Sequence, residues 1–158
     1  MDIKNKNMKE LSVEANIENL DSVQDFISEM LEASGCSMKL QMQINLVAEE
    51  IFANIVQYAY SQEAQINSLQ NDRVISNIGK AIVRVSVDNE IIIEFEDSGK
   101  PFNPLEKNDP DITLKAEERE LGGLGIFMVK KLMDSIKYRY EDNKNILVIK
   151  KVFEDIIA

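Results

Sequence analysis

The sequence predicts a single α+β domain, a two-layer α/β sandwich in which helices cover one face of an antiparallel or mixed sheet. The 158 residues, 44% of them hydrophobic, suffice for one core and one domain spanning 1–158. Apolar positions at helical spacing occupy residues 40–60. Alternating stretches flank two Asp-Asn turns, at 88–89 and 142–143. The resulting order is strand, two helices, two strands, helix, two strands, which is typical of this class.

The first third of the chain is predicted to contain one strand and two helices. Residues 9–14, KELSVE, alternate in the manner of an edge strand. The apolar residues within 20–31 recur at the spacing of one helix face, and Gly35 lies where a helix-ending glycine is expected. Ser37 would cap the next helix, whose apolar positions continue through residues 40–60.

Two hairpins are predicted in the second half. Residues 80–87 pair with 91–95 around the first Asp-Asn turn, and 135–140 pair with 146–152 around the second. The stretch 61–79, which precedes the first hairpin, is polar, irregular and long for a connection in a compact domain. We interpret 61–79 as a mobile insertion.

The composition excludes several classes of function. A net charge of −10 argues against nucleic acid and against anionic membrane surfaces as partners. The chain has no apolar run of about 18 residues and no apolar leader, so neither a membrane span nor a secretory signal is expected. The single cysteine, Cys36, fits a reducing cytoplasm and is expected to be inert. Because the chain has no histidine, Ser-His-Asp and Cys-His catalysis are excluded.

Three short motifs have the residue types of a binding site. Glu50 and Asn54 are four residues apart, so they lie on the same side of the predicted helix, facing either solvent or a cleft with a cation or polyanion. Asp97-x-Gly99 directly follows a predicted strand. This position fits either a plain strand-end turn or a binding site. Glycines open the following helix, where backbone amides can approach an anion. These glycines are Gly122, Gly123 and Gly125.

A charged, turn-rich segment, residues 104–120, separates the second motif from the glycines. A segment of this composition buries little surface by itself. Its position before a glycine-rich helix start predicts a lid over a ligand, with an ordinary surface loop as the alternative.

In this order, the motifs make the chain resemble the Bergerat-fold ATP-binding superfamily, and within it the stand-alone anti-sigma-factor serine/threonine kinases. The matching stretches are AEEIFANIVQYAY, IIIEFEDSGKPFNP and LGGLGIFMVKKLMD. The resemblance covers nearly the whole chain, with 61–79 as the main extra segment. It departs at Pro101, where many relatives have glycine, and at Tyr58-Ala59, where many have histidine-glycine.

The resemblance implies a role for each motif residue. Asn54 would hold the Mg²⁺ that bridges the phosphates of ATP, and Glu50 would be the general base toward the acceptor hydroxyl. Asp97 would accept a hydrogen bond from the adenine amino group, with Gly99 letting the backbone pass close to the base. Arg119 is expected near the γ-phosphate. The phosphate loop would consist of Gly122, Gly123 and Gly125.

The resemblance also implies a function and partners. It implies a cytoplasmic serine/threonine kinase that uses Mg-ATP to phosphorylate an anti-anti-sigma-like protein, with a sigma factor as a second partner and a homodimer as the common state. The alternative is an ATP-binding module that sequesters a partner without transferring phosphate. A histidine-kinase fragment is disfavoured because no histidine is present to be phosphorylated.

Overall fold

The computed structural model describes residues 8–60, 79–106 and 123–152. The predicted insertion 61–79 lies outside these ranges except for Gly79, and the predicted lid 104–120 lies outside them except for its first three residues. The helices and strands are, in chain order, β1 (Lys9–Glu14), α1 (Leu20–Ala33), α2 (Met38–Asn54), β2 (Lys80–Val87), β3 (Glu90–Asp97), α3 (Gly123–Leu132), β4 (Ser135–Glu141) and β5 (Lys144–Val152).

The strands form one sheet in the order β1-β2-β3-β5-β4, and each pairing is antiparallel. The structure therefore confirms the α+β class, both predicted hairpins and the edge position of β1. Of the two predicted possibilities for the sheet, antiparallel or mixed, the sheet is antiparallel. Asp142 and Asn143 both have positive φ, 54° and 62°, as the two central residues of a type I′ hairpin turn require.

The helices pack against one face of the sheet, and α2 contacts both α1 and α3. Gly35 has a φ of +81° directly after the end of α1, a conformation that glycine adopts without a steric penalty. Ser37 caps α2, because its Oγ accepts a hydrogen bond from the backbone N–H of Leu40 at 3.1 Å. The largest fully buried side chains between the layers include Phe52, Phe95, Ile27, Leu31 and Ile44.

The second helix differs from the prediction at its C-terminal end. A regular helix was expected through residue 60, but α2 ends at Asn54 and a π-helical turn, Ile55–Ala59, follows it. A π turn is wider and changes which way the following residues face. Here the carbonyl of Ala59 accepts a hydrogen bond from the backbone N–H of Lys100 at 2.9 Å, a tertiary contact that periodicity does not encode.

The sheet face away from the helices carries a charged cluster centred on Arg84. Its guanidinium contacts the carboxylates of Glu10, Glu94 and Glu96 at 2.7–2.9 Å. Lys144 lies 3.3 Å from the second oxygen of Glu96, whose side chain is 8% exposed. Burial alone would raise the pKa of Glu96, but Arg84 and Lys144 outweigh it and lower that pKa.

Candidate functional site

A pocket opens between the C-terminal half of α2, the end of β3 and the start of β5. Its lining is mostly apolar, with a few polar groups, which is the usual composition of a small-molecule site. The lining residues are Ile51, Asn54, Ile55, Ala59, Phe95, Asp97, Phe102, Pro104, Tyr138, Asn145 and Leu147. Two of the predicted site residues, Asn54 and Asp97, are therefore brought to the same pocket.

Asp97 is the last residue of β3 and is 5% exposed. Its Oδ1 accepts hydrogen bonds from the backbone N–H of Gly99 at 2.9 Å and from Nδ2 of Asn145 at 2.8 Å. Burial raises the pKa of Asp97, and these two hydrogen bonds act in the opposite direction. The result is a fixed, buried acceptor in the lining of the pocket.

Asn145 is a site residue that the sequence interpretation missed. It lies opposite Asp97 in the β3–β5 register. Its Oδ1 accepts hydrogen bonds from the backbone N–H of Phe102, at 3.0 Å, and from the hydroxyl of Tyr138. Its Nδ2 also donates to the carbonyl of Lys100 at 2.9 Å. One side chain thus ties Asp97 to the backbone that follows it.

A signal for Asn145 is present in the sequence. Along β5, Asn145, Leu147 and Ile149 point to the same face, and all three are buried. Two of them are apolar, so an asparagine at the third position is an anomaly. A buried polar residue in an apolar row needs hydrogen-bond partners, and this need points to a site.

Gly99 is required by close packing in this structure. A β-carbon at this position would lie 2.1 Å from the backbone carbonyl oxygen of Ala59 and 2.5 Å from its carbonyl carbon. The glycine therefore lets the strand end approach the π-helical turn, after which Lys100 bonds the same carbonyl. The sequence interpretation assigned Gly99 a different role, proximity to the base, and that role stays a prediction.

Two aromatic residues fix the chain around the π-helical turn. The ring of Tyr58 stacks on Phe102, with centroids 4.8 Å apart. The hydroxyl of Tyr60 accepts from the backbone N–H of Ser98 at 2.8 Å and donates to the carbonyl of Lys80 at 2.7 Å. These contacts hold the segment after β3 against the end of the second helix.

Glu50 lies one helical turn before Asn54, outside the pocket lining and against the start of α3. A β-carbon at Gly125 would lie 2.0 Å from Oε2 of Glu50, so the carboxylate packs directly on this glycine. Burial and the neighbouring carboxylate of Glu49 raise the pKa of Glu50. A raised pKa makes a carboxylate a stronger base.

Asn54 is 9% exposed, and its Nδ2 is buried without a hydrogen-bond partner among the described residues. A buried amide left unpaired costs about 1–3 kcal/mol, so an unpaired one inside a pocket indicates a ligand that completes it. The other predicted residues are placed less fully. Gly123 is the first residue of α3, whereas Arg119 and Gly122 lie outside the described residues.

The described ranges contain neither a metal-binding cluster nor a membrane-spanning helix. No three carboxylate, cysteine or histidine side chains there converge in a way that could hold a metal ion. Of the helices in those ranges, none has the length and apolar composition needed to cross a membrane.

Comparison with known proteins gives a family match over most of the chain. Residues 13–151 match the histidine kinase-like ATPase domain. Similar proteins include the serine-protein kinase RsbW of Listeria innocua and that of Listeria monocytogenes, each 25% identical over 128 residues. In both cases the match covers 81% of this chain and 76% of the relative.

Two solved structures share the fold. A Mycobacterium tuberculosis chain with RsbU and RsbW domains matches 91% of this chain and 32% of its own length, with a TM-score of 0.58 and 14% identity. The histidine kinase domain of a blue-light activated kinase from Erythrobacter litoralis matches 89% of this chain and 62% of its own length, with a TM-score of 0.51 and 16% identity. At these identities the matches show the fold alone.

Proposed function

Since the chain belongs to the histidine kinase-like ATPase domain family, we propose that it binds ATP with Mg²⁺ and transfers the γ-phosphate to a serine or threonine of a partner protein. The observation that carries this proposal is the convergence of Asp97 and Asn54 on one pocket, with Glu50 one helical turn beyond it. The partners we propose are an anti-anti-sigma-like protein as substrate and a sigma factor as the bound target. The RsbW relatives support this, because they are named serine-protein kinases.

The adenine would occupy the end of the pocket at Asp97. A buried carboxylate whose position is fixed by Gly99 and Asn145 is suited to accept a hydrogen bond from the adenine amino group. Apolar side chains on both sides, Ile51 and Phe95 among them, would cover the faces of the base.

The Asn54 amide fits a role at the phosphates. Mg²⁺ prefers hard oxygen ligands and usually takes few of them from protein, keeping water and phosphate oxygens for the rest. One amide oxygen from Asn54 is consistent with this, and the unpaired Nδ2 of the same side chain could donate to a phosphate oxygen. When bound, Mg²⁺ would neutralise charge that develops on the phosphates during transfer.

Glu50 would act as the base. As the acceptor hydroxyl oxygen forms a bond to the γ-phosphorus, its proton passes to the Glu50 carboxylate, and the bond from the γ-phosphorus to the departing ADP oxygen breaks. The raised pKa of Glu50 favours this proton transfer. Its position against Gly125 would keep the carboxylate beside the N-terminus of α3, where backbone amides favour phosphate.

One observation favours the alternative function, a module that binds ATP and a partner without phosphate transfer. No lysine or arginine side chain lines the described part of the pocket. Phosphoryl transfer depends mainly on charge neutralisation and positioning, and the described part of the pocket supplies no fixed cation, while the predicted Arg119 lies outside the described residues.

Nucleotide binding is tested first by thermal unfolding. Ligand that binds only the folded protein raises the melting temperature, so saturating Mg-ATP should raise it for the wild type. Asp97→Asn should remove most of that rise, because it places a donor where the adenine amino group needs an acceptor. A wild type whose melting temperature does not respond to Mg-ATP contradicts the proposal.

Phosphate transfer is tested with labelled ATP and purified candidate partner proteins. Glu50→Gln should keep nucleotide affinity and slow transfer by about 10²–10⁴-fold, the usual contribution of a general base. Glu49→Gln removes only the smaller of the two causes of the raised pKa of Glu50, so it should slow transfer far less than Glu50→Gln does. Asn54→Ala should lose both binding and transfer. Nucleotide-dependent partner binding without any acid-stable phosphoserine or phosphothreonine would establish the alternative.

A further inference from the structure

We propose that an exposed apolar row on the second helix is the docking surface for the protein substrate. The row consists of Met38, Met42 and Leu46, and we call it the α2 ridge. Its occupant would be an amphipathic, basic segment of the partner that carries the acceptor serine or threonine. This inference rests on the proposed kinase function and adds where, and by what chemistry, the substrate binds.

The α2 ridge is unusual in its exposure and its spacing. Met38 is 68% exposed, Met42 66% and Leu46 43%, although all three are large apolar side chains. Single exposed apolar residues are common on protein surfaces. These three are four residues apart on one helix, so their side chains adjoin and form one continuous strip. Exposed, flexible methionines beside another apolar side chain are typical of surfaces that bind helical segments.

The same row of residues leads into the candidate active site. Two further steps of four residues from Leu46 reach Glu50 and then Asn54. Each step rises about 6 Å along the helix and turns about 40° around it. The row therefore passes from solvent at Met38 to the pocket at Asn54, which is 9% exposed. A segment bound along the ridge would direct its next turn toward the proposed base.

Negative charge beside the α2 ridge favours a basic partner segment. The neighbouring helix α1 packs against α2, and its outward side carries four exposed carboxylates. They are Asp21, Asp25, Glu29 and Glu32. The whole chain has a net charge of −10, so a second copy would meet like charge at this surface. Lysine and arginine on the partner's flank would instead be attracted and steered to it.

The occupant is therefore defined by three properties. Apolar side chains at helical spacing would cover the α2 ridge, and basic side chains would face the carboxylates of α1. The acceptor hydroxyl would lie about one helical turn, or roughly 6 Å, past the last apolar contact, which is the distance from Leu46 to Glu50 along the axis.

The test uses two synthetic helical peptides and the full chain. The first peptide has leucines at i, i+4 and i+8, lysines along one flank, and a serine one turn beyond the last leucine. The second has glutamates in place of the lysines. Fluorescence anisotropy without nucleotide should show binding of the basic peptide, weakened by added salt, and no binding of the acidic one.

Variants of the surface provide matched comparisons. The double change Met38→Gln and Met42→Gln should weaken peptide binding about tenfold or more, because it removes buried apolar contacts, while Mg-ATP affinity stays unchanged. Val152→Thr removes a similarly exposed apolar side chain from a strand and should have no effect. Asp25→Lys should also weaken binding, whereas Asp88→Lys in the first hairpin turn should not.

Three results would overturn the proposal. The first is equal binding of the basic and the acidic peptide, and the second is equal peptide binding by the wild type and the double methionine variant. The third is a dimer in sedimentation that the double variant loses, because the α2 ridge would then bind a second copy of this chain. Peptide binding is measured without nucleotide, so it is independent of phosphate transfer. A chain that binds the basic peptide but phosphorylates no partner would support the docking surface and refute the kinase function. Normal phosphorylation of the partner with an unchanged KM in the double methionine variant would keep the kinase function and refute the docking surface.

Discussion

Glu50 and Gly125 are in direct contact across the α2–α3 interface: a β-carbon on Gly125 would come within 2.0 Å of Oε2 of Glu50. The resemblance assigned Gly125 to the phosphate loop. In this structure the missing side chain also leaves space for the proposed base.

This contact predicts the effect of Gly125→Ala. The added methyl group would displace the Glu50 carboxylate, so phosphate transfer should fall, up to the roughly 10²–10⁴-fold that the base contributes. The fold should survive, because alanine is favoured over glycine within a helix by about 1 kcal/mol. The measurement is the single-turnover transfer rate together with Mg-ATP affinity.

The control for this prediction is a shorter base. Glu50→Asp alone should slow transfer. The double variant Glu50→Asp with Gly125→Ala should lose less than the two single losses combined, because the shorter carboxylate leaves room for the methyl group. Independent, additive losses from the two changes would show that Gly125 does not act through Glu50.

Gly99→Ala should destabilise the protein through overpacking. Its methyl group would meet the backbone carbonyl oxygen of Ala59 at 2.1 Å, and a backbone group cannot move aside as the end of a flexible side chain can. We expect a loss of about 1–3 kcal/mol in the free energy of unfolding, together with weaker nucleotide binding. Gly35→Ala is the comparison, since a β-carbon there meets nothing within 4 Å and only its φ of +81° is unfavourable. Gly35→Ala should keep nucleotide affinity, and a matching affinity loss in both variants would contradict the local explanation.

Asn145→Ala should affect both stability and binding. It leaves Oδ1 of Asp97 without one hydrogen bond and frees the backbone of Lys100 and Phe102. Leaving buried partners unpaired costs about 1–3 kcal/mol, and ATP should bind more weakly because its acceptor is less fixed. Asn89→Ala, in the exposed turn of the first hairpin, should change neither quantity. Wild-type ATP affinity in Asn145→Ala would remove Asn145 from the site.

The Arg84 cluster predicts a pH dependence of stability. The pKa of Glu96 is lower in the folded protein than its ordinary value of 4.5. The ionised carboxylate therefore stabilises the folded state fully above pH 4.5, and this contribution is lost as the pH falls through the lowered pKa. Urea unfolding of the wild type at neutral and acidic pH should show that loss.

Glu96→Gln should remove this part of the pH dependence. At neutral pH it should lower stability by about 1–3 kcal/mol, because the partly buried guanidinium of Arg84 loses a charged hydrogen-bond acceptor. At acidic pH the difference from the wild type should shrink. A gap between wild type and variant that is constant across this pH range would show that Glu96 does not titrate as described.

The sequence predicted the elements well because each has its own period. Val83 and Val85 alternate in a strand, and Val23 and Ile27 recur in a helix, so these segments reveal their buried face without knowledge of their neighbours. The Asp-Asn pair at 142–143 likewise fixes a hairpin from local conformation alone.

The parts that were missed depend on contacts between distant residues. Asn145 meets Asp97 because of strand register, and Ala59 bonds Lys100 because a π-helical turn meets a strand end. Neither pairing is contained in any short window of sequence. Asn54 and Asp97 were singled out by their motifs, with roles taken from the resemblance, and both line one pocket, whereas Arg119 stays a prediction.

Tyr60 and Gly79, the residues on either side of 61–78, touch: a β-carbon on Gly79 would lie 1.9 Å from the Tyr60 ring. The Tyr60 hydroxyl is bonded to Lys80 and Ser98, and the carbonyl of Gly79 accepts a hydrogen bond from Ala15. Each residue is thus held by its own hydrogen-bonded neighbours, Tyr60 by Lys80 and Ser98 and Gly79 by Ala15. The two neighbouring residues therefore offer an engineer a pair of adjacent attachment points for a sensor domain or a reporter.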